Sequence, residues 1–154
     1  MLDRKSAPPF SALTNFQLPA PEVTPLSNGC NLVHLDTVKQ DVIKIELLFK
    51  AGKWFEPAPG ISHFTAQLLD KGVPGKSAYQ IATWFDLFGA SIEINAGLDF
   101  TSVSLYALAS NVHETLPLFF QLLAEPTFSE YELAQSKAIF IQNLKLNLEK
   151  NSFV

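Results

Sequence analysis

A chain of 154 residues, 47 % hydrophobic and 17 % charged, is long enough and apolar enough to bury one real core. Lys+Arg 11 against Asp+Glu 15 leaves a net charge of −4, so no basic field exists to hold nucleic acid or an anionic membrane. Cys30 is the single cysteine, which excludes an intrachain disulfide and points to a reducing compartment.

The N-terminus carries charges with no apolar run behind them, and no stretch approaches ~18 uninterrupted apolar residues. The expected location is cytoplasmic, with no membrane span. Residues 1–25 hold Pro8, Pro9, Pro19, Pro21 and Pro25, a density that forbids a helix and predicts an extended arm. Asn28-Gly29 predicts a hairpin between strands over 22–26 and 30–36. From Val42 to Lys50, Ile43, Ile45, Leu47 and Phe49 recur at period two, a strand with one buried face. Pro57, Pro59 and Gly60 lead from a loop into an apolar helix over 60–70.

Lys71 to Gly75 breaks the chain. Ser77 with Gln80 then forms a capping box for a helix that places Ile81, Trp84, Phe85 and Phe88 on one face and closes at Gly89. Ser91–Ile94 and Thr101–Leu108 read as strands. In the second, Val103, Leu105 and Ala107 alternate with Ser102, Ser104 and Tyr106. Asn111 with Glu114 and Ser129 with Glu132 each predict a capped helix. The last carries Leu133, Ile141, Leu144 and Leu148 as a stripe and runs to Lys150, stopping at Asn151–Val154 with no closing element. Strands grouped before helices predict an α+β fold, a mainly antiparallel sheet covered by helices on one side. The expected domain runs over 26–154 and forms the N-terminal part of a longer subunit.

Chemistry concentrates in Gly60 to Gly72. On a helix, His63 and Gln67 lie one turn apart on one face. That is the spacing of the two histidines of the inverted zinc motif H-x-x-E-H, whose glutamate polarises the attacking water. Here the glutamate position holds Ala66 and the second histidine position holds Gln67.

In this frame the sequence resembles the pitrilysin/insulinase family of metallopeptidases. Leu26-Ser27-Asn28-Gly29 is similar to the family's L-x-N-G, and Ala51-Gly52-Lys53-Trp54-Phe55-Glu56 to its A-G-S-R-x-E. Gly60 to Gly72 matches G-L-A-H-F-x-E-H-x-x-x-K-G in frame. Lys76-Ser77 stands for an R-S pair, and Glu125-Pro126-Thr127-Phe128 resembles the P-x-F before the last helix. Gly89-Ala90 and Asp99-Phe100-Thr101 match the ends of G-G-x-x-N-A-x-T-x-x-D-x-T, while Glu93 and Ala96 replace its N and T.

The resemblance implies a processing-peptidase-like half, with a third zinc ligand, a glutamate, on the last helix. The family spacing puts that position at Asn143, and a helper glutamate at Ser136. Only His63 of the three ligands then remains. Zinc sites need three or four strong donors, and amides are poor ones. Alanine at 66 transfers no proton, a function worth ~10²–10⁴ in rate. The expectation is therefore no catalytic residue and no bound zinc in this chain. Restoring Ala66→Glu, Gln67→His and Asn143→Glu together is expected to return zinc binding.

The resemblance implies a non-catalytic subunit that pairs with an active pitrilysin-type subunit around a peptide-processing chamber. The alternatives are a purely structural subunit and an active zinc peptidase with other ligands. A peptide substrate and a second copy of the chain stand as further partners. His63 also reads as an ordinary helix residue hydrogen-bonded through its ring. His34 and His113 read as structural or solvent-facing, Cys30 as a small packed residue, and Trp84, Phe85 and Phe88 as core. Trp54 reads either as a loop residue or as facing a partner. The residues that would bind substrate are not legible.

Overall fold

Strand β7 (Thr101–Leu108) organises the larger part of the fold. It lies between β3 (Val42–Phe49) and β6 (Ser91–Ala96), antiparallel to both. The register aligns Ile45, Leu105 and Ile92 in one row and Leu47, Val103 and Ile94 in the next. Side chains two apart share a face, so both rows are apolar on the same side. The computed structural model describes residues 18–36 and 40–150. Residues 1–17 of the arm predicted over 1–25, and the end at Asn151–Val154, lie outside the described residues.

Helices cover that apolar side. Helix α1 (Ile61–Leu68) is followed by Leu69; α2 (Ala78–Leu87) supplies Ile81 and Phe85; α3 (Val112–Ala124) supplies Leu118, Phe119 and Leu122. With Val73, Ala90, Val103, Leu105 and Ala107 they form the core, in which Leu105 and Phe119 are fully buried. The α+β class and the one-sided cover are as the periodicity predicts.

The opposite side of the sheet is polar and networked. Lys44 Nζ donates to Glu46 at 3.1 Å, Ser104 Oγ to Glu46 at 3.4 Å, and Tyr106 OH and Asn95 Nδ2 to Glu93 at 3.2 and 3.0 Å. The Lys44 ammonium is held above its usual range, first by the hydrogen bond to Glu46. Ser104 is buried although the alternation places it outward, and it sits between its cross-strand neighbours Glu46 and Glu93.

The chain divides into two units, one reaching to Gln40 and the other beginning at Asp41. The hairpin of β1 (Glu22–Pro25) and β2 (Asn31–His34) lies in the first unit, with Gly29 at φ 85°. Leu26 N–H donates to the Cys30 carbonyl and Gly29 N–H to the Leu26 carbonyl, a three-residue loop closed by a left-handed glycine. Cys30 is exposed, not packed, because it sits in this turn.

Three more expectations need correction. The break over 71–75 holds a small antiparallel pair, β4 (Gly72–Val73) with β5 (Lys76–Ser77). The Ser77–Gln80 capping box forms, but neither Asn111 nor Ser129 caps through its side chain. Asn111 instead donates from Nδ2 to the Phe88 carbonyl at 3.0 Å, tying the start of α3 to the end of α2. The stripe on α4 (Glu130–Leu148) is largely uncovered: Ile141, Leu144 and Leu148 are exposed, and no residue of this helix is buried.

Two pairs of motifs that lie far apart in the chain meet in space. Gly52, Lys53 and Trp54 N–H donate to the carbonyls of Asp99, Gly97 and Leu98, and Thr101 Oγ1 donates to the Ala51 carbonyl at 2.9 Å. A Cβ on Gly52 would overlap the Leu98 carbonyl. Likewise Thr127 N–H donates to the Gly72 carbonyl at 3.0 Å, and a Cβ at 72 would meet the Thr127 hydroxyl. The Gly52→Ala variant is expected to lose about 1–3 kcal/mol, the usual cost of overpacking. A urea midpoint equal to that of the unmodified chain would contradict this seat.

Candidate functional site

Helix α1 is positioned from its N-terminal end. Gly60 precedes it in the left-handed region, φ 93°, which favours a residue without Cβ. The first N–H groups of a helix lack partners in the helix itself. Glu56 supplies them: its carboxylate accepts from Gly60 N–H at 3.0 Å, Ser62 N–H at 2.9 Å and Ser62 Oγ at 2.7 Å. The Ser62 hydroxyl, then the Ser62 and Gly60 N–H groups, hold the Glu56 carboxyl below the usual glutamate range. A carboxylate at a helix N-terminus also meets the positive end of the helix dipole. A short 3₁₀ turn, Lys53–Phe55, brings Glu56 to this position and leaves Trp54 exposed.

The faces of α1 then separate. Ser62, Ala66 and Leu68 are buried, His63 is half-buried and Gln67 is exposed. Ala66 lines a cleft of about 410 Å³ bounded by Phe49, Phe55, Ser62, Thr101 and Leu123. The other side of α1 meets α4. There the His63 ring lies 5.1 Å from the Phe140 ring, tilted 51°, and 5.1 Å from the Phe64 ring at 76°. Phe64 and Phe140 are themselves 5.6 Å apart and edge-on.

Among the described residues His63 makes no side-chain hydrogen bond, so the ring-bonded reading of His63 gives way to aromatic packing. Gln67 and Asn143 are exposed and Ser136 is half-buried. No group of three His, Cys, Asp or Glu side chains comes together among the described residues. The positions that the resemblance assigns to metal, His63, Gln67 and Asn143, hold one imidazole and two amides, a donor set that does not fit zinc, which takes three or four nitrogen, sulfur or carboxylate ligands.

His34 is exposed on β2, its Nδ1 3.8 Å from the Glu22 carboxylate, and His113 is exposed in the first turn of α3. Phe85 is core; Trp84 and Phe88 are half-buried with rings 5.2 Å apart, and Trp84 Nε1 donates to the Glu114 carbonyl at 3.2 Å. Phe140 and Phe64 were not legible as a pair. Phe140 stands in Ile139-Phe140-Ile141, where three apolar residues in a row leave the inward one unmarked by period.

The antiparallel sheet, its one-sided helical cover and the paired α1–α4 seam define an α+β domain. The chain belongs to the family described as Insulinase (Peptidase family M16), whose model matches residues 32–151. It is 27 % identical over 124 residues to an uncharacterized zinc protease of Rickettsia felis (strain ATCC VR-1525 / URRWXCal2), covering 79 % of this chain and 30 % of that protein. A Rickettsia bellii (strain RML369-C) protein of the same description is 26 % identical over the same shares. Among solved structures, a peptidase M16 inactive domain from Pseudomonas fluorescens superposes with a TM-score of 0.80 at 25 % identity, over 84 % of this chain and 32 % of that one. A protease from Helicobacter pylori shares the fold, with a TM-score of 0.71 at 23 % identity over the same shares. The chain thus spans about a third of the length of the relatives it matches. No helix among the described residues is long and apolar enough to cross a membrane.

The Glu56 clasp has a pH signature. Its folded pKa lies below the ordinary glutamate value of 4.5, so its stabilisation is full above that value and is lost as pH falls through the lowered one. Glu56→Gln is expected to lower the Tm at neutral pH and to flatten the fall in Tm on acidification. Parallel acid limbs for the two proteins would show that Glu56 does not hold α1.

Proposed function

We propose that this chain is a non-catalytic relative of the zinc metallopeptidases. It keeps the peptidase scaffold and pairs with an active homologue to form a peptide-processing chamber. The observation that carries this reading is the α1–α4 seam. The two helices that bear the family's ligand positions pack together there, and the side chains at those positions are His63, Gln67 and Asn143. Ala66, at the glutamate position, offers no group that takes a proton from water. Without a metal, the water is not activated either.

The scaffold around these positions is kept. The Glu56 clasp, the Gly52 seat and the Gly72–Thr127 contact join motifs that the family shares. A peptidase scaffold without the groups that do the chemistry points to a role in binding and assembly. The neighbour described as an inactive domain supports the same reading.

Mixing the chain with an intact H-x-x-E-H homologue, by size exclusion and peptide cleavage, tests the proposal. The expected result is a stable complex that cleaves peptide faster than the homologue alone. A complex with no gain in cleavage would assign a purely structural role; no association and no change in rate would sink the pairing altogether. Stoichiometric zinc retained by the chain alone through dialysis against a chelator would instead make it an enzyme with ligands outside the set considered.

A further inference from the structure

We infer that the His63, Phe64 and Phe140 rings form a lock across the α1–α4 seam, joining the helices where a zinc ion would otherwise do so, and that Phe140 bars the metal even when its donors are restored. The centroids of His63 and Phe140 are 5.1 Å apart, and those of Phe64 and Phe140 5.6 Å. Rings at these separations are in contact, the usual range being ~4.5–7 Å. A zinc ion sits about 2 Å from the imidazole nitrogen that binds it, and its other donors must converge on the same point.

The side of His63 that faces α4 is taken by a phenyl ring from α4 itself. Residue 143 lies three positions beyond Phe140, less than one helical turn away. A carboxylate placed there must reach past that ring. The position is therefore closed by the Phe140 ring as well as by the lack of donors at 67 and 143. The expectation that three restored donors suffice needs a fourth change.

The lock also explains the exposure pattern of α4. Phe140 is 44 % exposed, so one part of its ring lies on α1 and the other is free. Helix α4 packs on α1 and buries no residue fully. A ring contact is then a main tie between α4 and the rest of its unit.

The ring half of this inference stands on geometry alone; the zinc half rests on the family reading of positions 66, 67 and 143. Two experiments separate them. In the first, His63→Ala, Phe140→Leu and the double variant are unfolded in urea, Phe140→Leu being chosen because it keeps an apolar side chain on the helix. The expected coupling is at least twofold in the unfolding constant; additive effects overturn the lock. In the second, zinc alone is titrated into the Ala66→Glu, Gln67→His, Asn143→Glu variant with and without Phe140→Leu, each first shown folded by circular dichroism. Zinc is expected to bind at least tenfold tighter when Phe140 is replaced. Equal affinities, or no binding by either folded variant, overturn the barrier while leaving the pairing test of the whole chain untouched.

Discussion

Three successive N–H groups, from Gly52, Lys53 and Trp54, donate into the turn that joins β6 to β7. This backbone seat requires close approach, and a Cβ at residue 52 would strike the Leu98 carbonyl. The placement of α1 follows from it. The seat sets the 3₁₀ turn, the turn carries Glu56 to the N-terminus of α1, and Glu56 holds Gly60 and Ser62. Backbone hydrogen bonds suit this task because their geometry is narrow and each unmet buried donor is costly. The orientation of α1 then decides that Ala66 is buried while His63 turns to α4.

The same economy appears on the two sides of the sheet. One side carries the apolar rows of β3, β7 and β6 against α2 and α3, with Leu105 and Phe119 fully excluded from water. The other carries a chain of paired polar groups from Lys44 to Asn95. The sheet thus has a dry face that packs on the helices and a wet face whose polar groups pair with one another.

Much of the fold was legible in the chain. Val103, Leu105 and Ala107 announced the strand over Thr101–Leu108, because period two is the direct result of side chains alternating across a pleat. Ser77 and Gln80 announced α2, because a capping box is a local exchange of hydrogen bonds within four residues. Asn111 and Ser129 carried the same local signal without the bond. Asn111 was recruited instead by the Phe88 carbonyl, a partner that only the packing of α2 on α3 supplies. The stripe on α4 misled for a related reason: its apolar residues spread around the helix, so periodicity did not single out the face that meets α1.

The chain alone determined the strand over Thr101–Leu108, the order of the longer strands and helices, and which residue types stand at positions 63, 66, 67 and 143. These are matters of local periodicity and of side-chain chemistry, which travel with the sequence. Only the tertiary structure decided that Gly52 meets Leu98, that Gly72 meets Thr127, and that Phe140 lies on His63. Those contacts join residues separated by long stretches of chain. The first two depend on how loops and strands approach one another and the third on how α1 and α4 cross, and each is set by the summed packing of many side chains, with no single residue marking it in advance.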